Sequence, residues 1–409
     1  MTRAFVWDEG RVLEHLGDPV AEAPIGNRPL SAHQDDALDQ PTRIHNLSEI
    51  PADARDFVIV RGHVWLTRSL VRKFVRAAQS SGMPIAALAL GPCVFARTTT
   101  ALADVRKDGD RTVYGVWWCA KAPVNTAELE VAKPIVVEIL EHKIPNDMLQ
   151  RRGLQNDAMD VALTTEAILH VRHWSHLVVA NYVSMFHFWF KLSPGKAMRY
   201  LWAVLRAVPW TSAARISRML TVRGRRCKIH PSAVVETSIL GDRVEIGPCA
   251  VVRGSIIGDD AKIDVHASVN NSALGNGAVV SFQTICNLNV MYPQAMLSHI
   301  GTQMAVIGRR ATVLSGSLLL DMRDPYLERD VLVTDGGQRV PSGRRVLGPC
   351  IGHDAVIAAD VKLAPGMEVP AGAYLVTDPD GVVRRIEKPP EARIPYRALG
   401  GGITPARKK

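Results

Sequence analysis

The sequence predicts an α/β domain followed by an all-β parallel β-helix, and three observations carry that prediction. Residues 1–130 show no repeat but contain a strand, helix, strand pattern; from Ile229 onward apolar residues recur with a period of 17; and the two regions are separated by a long stretch without acids. The chain has 409 residues, enough for two or three domains with their own cores. Its 47% hydrophobic and 22% charged residues are those of a globular chain, which excludes a disordered or fibrous one.

In the first region, Arg55 to Leu90 passes from an apolar Phe57–Val60 through a turn at Gly62 to an amphipathic Ser69–Gln79, then to Ile85–Leu90. This is a βαβ unit, the building block of an α/β layer. The first domain is read as residues 1–165.

The net charge is +9, yet it is local. From Ala167 to Val235 there are 69 consecutive residues with eleven Lys or Arg and no Asp or Glu, so the rest of the chain sums to −2. A nucleic-acid signature spread over a domain is therefore excluded. The same stretch holds nine of the 23 aromatic residues, and Lys196, Arg199 and Arg206 share one face of a predicted helix. Residues 166–226 are read as a basic, aromatic, helical connector. Two readings stand for it: packing against a neighbouring domain, or peripheral docking of 167–235 on an anionic membrane. His170, His173 and His176 also fall here, but the first and third diverge by about 120° around a helix, which disfavours one shared metal.

The repeat defines the second domain, residues 227–385. Leu240, Ile257 and Leu274 are 17 apart, as are Ile246, Ile263 and Val280, and Val235, Val252, Val269 and Cys286. Three six-residue rungs per coil, one shortened by a residue, stack the same residue class coil upon coil in a parallel β-helix. Cys286 on the inward ladder reads as a small core residue. A second run, Ile351, Ile357, Leu363, Val369 and Leu375, keeps a step of six. Between the runs, 318–345 is rich in charge and reads as an inserted loop, either lining a binding face or simply solvated. Residues 386–409, Gly-rich and basic, read as a flexible tail.

Six scattered cysteines without a CxxC pair fit reduced thiols. The opening MTRAFVWDEG carries acids where a signal peptide would be apolar, so the expected location is cytoplasmic, with peripheral membrane association as the second reading.

The rungs, an aliphatic residue followed by Gly and three places later by a small residue, resemble those of the hexapeptide-repeat transferases, which implies a left-handed β-helix over about 229–378. The segment Pro19 to Leu30, with Gly26-Asn27-Arg28-Pro29-Leu30, resembles an element of the sugar-nucleotide pyrophosphorylase (nucleotidyltransferase) fold fused to such a tail, and implies that Asn27 and Arg28 bind substrate. The family's Gly-rich loop has no counterpart before Pro24, and His63 follows Gly62 where the family places a metal-binding Asp. A neutral imidazole is a poor Mg²⁺ ligand, so Mg²⁺-dependent nucleotidyl transfer is not the expected activity.

On the solenoid, Gly247-Pro248-Cys249-Ala250-Val251-Val252-Arg253 resembles the Gly-Pro-x-Ala-x-x-Arg motif of bifunctional acetyltransferase–uridylyltransferases, which implies that Arg253 contacts a phosphate or sugar nucleotide. One coil on, Asn270 and Asn271 stand where that family has a basic pair, and Phe282 stands where it has its catalytic His. Acyl transfer needs a general base. The candidates are His299 first, should 282–298 loop out, and His266 second, with His353 at an outward position of the second run. The resemblance implies acyl-CoA (acetyl-CoA) as donor, a sugar or nucleotide-sugar acceptor and a homotrimer. A catalytically degenerate sugar-nucleotide-binding scaffold is the competing reading.

Overall fold

The computed structural model describes residues 3–144, 161–190, 218, 220–298, 301–323, 329–381, 383–386, 394, 396–400 and 402–406. Of the candidates above, His299 lies outside the described residues, as does 191–217, including the predicted basic helix.

The first domain is built on strands β1 (Arg3–Trp7), β2 (Thr42–Ile44), β3 (Arg55–Arg61), β4 (Val64–Leu66), β5 (Ile85–Leu90), β6 (Arg111–Lys121), β7 (Lys133–Val136) and β8 (Ile168–His170). Its main sheet runs β7-β5-β6-β3-β1-β2, with a short strand Arg106–Asp108 beside β6. The expected βαβ unit is present but split. Helix α1 (Arg68–Ser81) connects β3 to β5, yet β6 lies between them, antiparallel to both. Eight consecutive residues of β6, Thr112–Cys119, are buried, so it shows none of the alternation that marks a half-exposed strand. β8 pairs with β4 outside this sheet.

Helix α2 (Trp174–Phe190) follows. Trp174, Leu177, Val178, Val179, Ala180, Val183 and Met185 are all buried, and a helix apolar on all sides must be enclosed on all sides. It packs in one continuous core with the first domain and with Val290, Val306 and Cys350 of the solenoid. Its one amide, Asn181, is fully engaged: Nδ2 donates to Pro24 O (2.8 Å) and Leu177 O (2.9 Å), and Oδ1 accepts from Gly26 N (2.8 Å). Residues 167–185 of the connector are thus largely interior, while Arg223, Arg225 and Arg226 at its far end are exposed. Among the described residues no helix is long and apolar enough to cross a membrane.

The second domain is a parallel β-helix with three faces. Face one runs from Val222–Arg223 to Glu368–Val369, face two from Lys228–Ile229 to Tyr374–Leu375, and face three from Val234–Glu236 to Gly301–Gln303. Val235, Val252, Val269 and Cys286 pair in register up face three, and their buried side chains fill the interior. The loop-out of 282–298 on which His299 depended does not occur: strands Ile285–Asn287, Val290–Met291 and Met296–Leu297 remain in the ladders. Cys286 then pairs with Thr302, a step of 16, so the coil drops one residue and keeps its register.

The five-residue rung explains a second pattern. The corner from face three to face one is tight, and its backbone N–H groups would be orphaned inside. A buried ladder satisfies them: Ser255 N donates to Ser238 Oγ (3.2 Å), Ser272 N to Ser255 Oγ (3.1 Å), Asn289 N to Ser272 Oγ (3.0 Å) and Ala305 N to Asn289 Oδ1 (2.8 Å).

One expectation is corrected here. The insertion is neither a free loop nor merely solvated, because Leu332–Asp335 and Gln338–Pro341 form a hairpin whose Val333, with Val331 just before it, is completely buried in the core shared with the first domain. Within the tail, Tyr396–Leu399 pairs with Gly402–Pro405 about Gly400, whose φ of +61° suits a tight turn.

Candidate functional site

In open α/β sheets ligands bind outside the carboxyl ends of neighbouring strands whose connections leave in opposite directions. β1 and β3 are such a pair, since β1 leads on to β2 on one side and β3, through α1, to β5 on the other. Glu9 and Arg11 follow β1, and Arg61 and His63 stand at the end of β3.

This crevice holds a chain of ion pairs. Arg11 Nε meets Glu9 Oε2 (2.8 Å) and its Nη1 donates to Asp104; Arg172 donates to Asp104 Oδ1 (3.3 Å) and to Asp335 from the solenoid hairpin. The guanidinium of Arg61 lies 5.6 Å from the rings of both Trp7 and Trp117. His63, with Nδ1 3.5 Å from Glu9, is the largest influence lowering the Glu9 carboxyl below its ordinary range, opposed by burial and helped by Arg11. Burial raises the Asp104 carboxyl, but Arg11 and Arg172 outweigh it and hold the group low.

Beneath the ion pairs lie His63 and His170, with ring centroids 4.9 Å apart and nearly perpendicular. Burial lowers both below the usual imidazole range, so both are neutral at neutral pH. His170 Nε2 accepts from Gly115 N (3.2 Å), which places its proton on Nδ1. That Nδ1 and His63 Nε2 have no hydrogen-bond partner among the described residues. The crevice carboxylates Glu9 and Asp104 are engaged by Arg11 and Arg172, which leaves them poor Mg²⁺ ligands, and the two imidazoles are buried, 2% and 1% exposed.

The three connector histidines turn to different elements. His176 Nδ1 accepts from Arg172 N (3.1 Å) and His173 N (3.2 Å) while Nε2 donates to Ala101 O (2.7 Å). His173 joins His15 and Glu368 in a set whose ligand atoms lie within 4.8 Å of one another. Such a set has metal-ligand chemistry, but its capacity is already filled. Both imidazoles meet Thr334 O, at 3.1 Å from His173 and 3.3 Å from His15. Glu368 accepts from Thr334 N, Thr334 Oγ1, Trp174 Nε1 and Arg339 Nη1. A carboxylate with four donors, one cationic, gains little from a further cation. This is a clasp that fixes the hairpin to the first domain.

The remaining sequence candidates fall in three places. Asn27 donates through Nδ2 to Leu274 O (2.6 Å) and Ile256 O (3.3 Å), docking its turn on face one, while Arg28 pairs with Asp36 (2.8 Å) at the surface. His353 is buried, accepting from Arg309 N (2.7 Å) and donating from Nε2 to Asp18 Oδ2 (2.9 Å) at the domain junction.

Arg253 and Asn270 are brought together at the end of face three, and His266 stands at the corner where that face begins. Arg253 and Asn270 are register partners on successive coils; Arg253 also pairs with Glu236 (2.9 Å), and Asn270 Nδ2 donates to Ser268 Oγ (2.9 Å). Asn271, with φ +47°, turns the next corner, its Oδ1 filling the space a Cβ on Gly254 would need. His266 is exposed at the corner before face three, one coil beyond Cys249, and Phe282 occupies the following corner.

Sequence reasoning overlooked His230. It lies on the same edge two coils before His266, its Nδ1 2.8 Å from Ser232 Oγ. Beside it is a surface depression of about 410 Å³ lined by Lys228, Glu245, Pro248, Lys262 and Asp264. Its position one residue after the face-two strand was the available signal.

The comparisons with known proteins are partial. Over 89 residues the chain is 35% identical to a bifunctional sugar-1-phosphate nucleotidylyltransferase/acetyltransferase of Sulfurisphaera tokodaii. That match covers 22% of this chain and 21% of the relative, so the chain spans about a fifth of the relative's length in the match. No family model matches. The architecture is an α/β domain joined to a stack of parallel strands.

Proposed function

We propose that this protein transfers an acyl group, acetyl in the simplest case, from acyl-CoA to a sugar or sugar nucleotide on the β-helix. The observation that supports the reading is the side-by-side placement of Arg253 and Asn270 at the end of face three, with the exposed His266 at the corner that begins that face. In this scheme a neutral histidine removes the proton from the acceptor's amine or hydroxyl as it attacks the thioester carbonyl, and CoA leaves as the thiol. Arg253 holds the acceptor's phosphate, and Asn270 and Asn271 orient its sugar. His266 is the described candidate for the base and His230 shares its edge; His299, whose approach depended on a loop-out of 282–298, falls behind them. Face one is covered by the first domain and α2, so a homotrimer would assemble through faces two and three.

A second reading, a sugar-nucleotide-binding scaffold, is favoured by a specific observation: the crevice arginines are already paired with the chain's own carboxylates. Sugar-1-phosphate nucleotidyl transfer is the third reading, resting on the partial relative. A mass-spectrometric screen of acetyl-CoA and nucleoside triphosphates against sugar phosphates separates them. An acetylated sugar supports the first, binding without turnover the second, and pyrophosphate release the third.

A further inference from the structure

A groove of about 270 Å³ opens on the first domain between α1 and the segment Ala37–Asp39. Its floor is apolar: Ala4 and Val58 from β1 and β3, with Leu38, Val71 and Val75 at the sides. Arg68, Arg72 and Arg76 line it at four-residue intervals, so one face of the helix presents a guanidinium about every 6 Å. Arg68 is tethered to Asp36 O (2.7 Å) and lies 3.9 Å from Asp39. Arg72 and Arg76 are exposed, and no side-chain hydrogen bond or ion pair ties them to any described residue.

We propose that this groove docks an extended acidic segment of a partner protein. Two considerations select that occupant. A volume of about 270 Å³ is below the ~300–1,000 Å³ that encloses a whole small ligand, but it takes one or two apolar side chains from a segment lying across it. Along an extended chain, residues on one face recur every ~6.7 Å, close to the arginine spacing, so carboxylates at alternate positions meet successive guanidiniums while the intervening apolar residues face the floor. A single headgroup would engage one end of the row and leave the rest unmatched.

The test uses the full-length protein and a short fluorescein-labelled peptide with Glu at every second position and Leu at two of the positions between. Fluorescence anisotropy at low salt should show saturable binding that weakens ~10-fold or more in Arg72→Glu/Arg76→Glu and with the Gln version of the peptide. Arg72→Lys/Arg76→Lys should retain most of it. Melting temperatures should not change, since both side chains are exposed. Equal binding by the charge-reversed protein, equal binding of the Gln peptide, or tighter binding of inorganic polyphosphate at the same arginines would overturn the proposal.

Discussion

Arg172 bridges the two domains: its guanidinium is shared between Asp104 of the first domain and Asp335 at the tip of the solenoid hairpin. Each side chain is between a fifth and a third exposed, so solvent discounts the interaction. Asp335→Ala should cost about 0.5–1.5 kcal/mol in chemical denaturation. Arg172→Ala should cost more, because it strands Asp335, leaves Asp104 to Arg11 alone and removes a donor to Leu102 O (3.2 Å). Equal effects would refute the shared pairing.

Asp335 also competes for the cation that an anionic ligand in the crevice would use. Replacing it with Asn should strengthen pyrophosphate binding about 5-fold, equivalent to about 1 kcal/mol, measured by calorimetry. Unchanged affinity would place the ligand elsewhere.

Buried histidines predict acid sensitivity. His176 is lowered to about 3 by burial, and His63, His170 and His173 are lowered in the same way. Below the unfolded value of about 6.5 the unfolded chain takes up protons that the native state refuses, so stability falls as pH falls. Each such histidine removes about 1.4 kcal/mol per pH unit until its own folded value is reached. Denaturant midpoints between pH 7 and pH 5 should drop steeply, and His176→Gln should flatten the slope.

The corner ladder gives a test within the solenoid. Ser272→Ala leaves Asn289 N without its acceptor in the interior and should cost about 1–3 kcal/mol. Ser272→Asn, which restores a side-chain oxygen as Asn289 does one coil later, should recover part of the loss. A neutral Ser272→Ala would show the ladder to be incidental.

The solenoid was legible because its core repeats in sequence at the period at which it repeats in space; even Cys286 announced its place by its distance from Val269. What stayed hidden depends on contacts between distant segments. β6 gives no alternation because it is buried on both faces, between the two strands of the βαβ unit. The hairpin carried a short alternating signal at Val331 and Val333, but the charges around it suggested exposure; Asp335 and Arg339 are instead used on Arg172 and Glu368. Asn27 was read through a family resemblance, and its contacts to Leu274 and Ile256 cross between domains no local pattern joins. His230 and His266 became comparable only when the coils were stacked.

The most direct test of the account is CoA release, followed with a thiol reagent, from acetyl-CoA and amino-sugar phosphates, for the wild type and for His266→Ala, His230→Ala and His299→Ala. The account predicts acceptor-dependent release that falls ~10²–10⁴-fold in one of these variants, His266→Ala foremost, with the fold retained. No release with any acceptor, or release unchanged in all three variants, would contradict it.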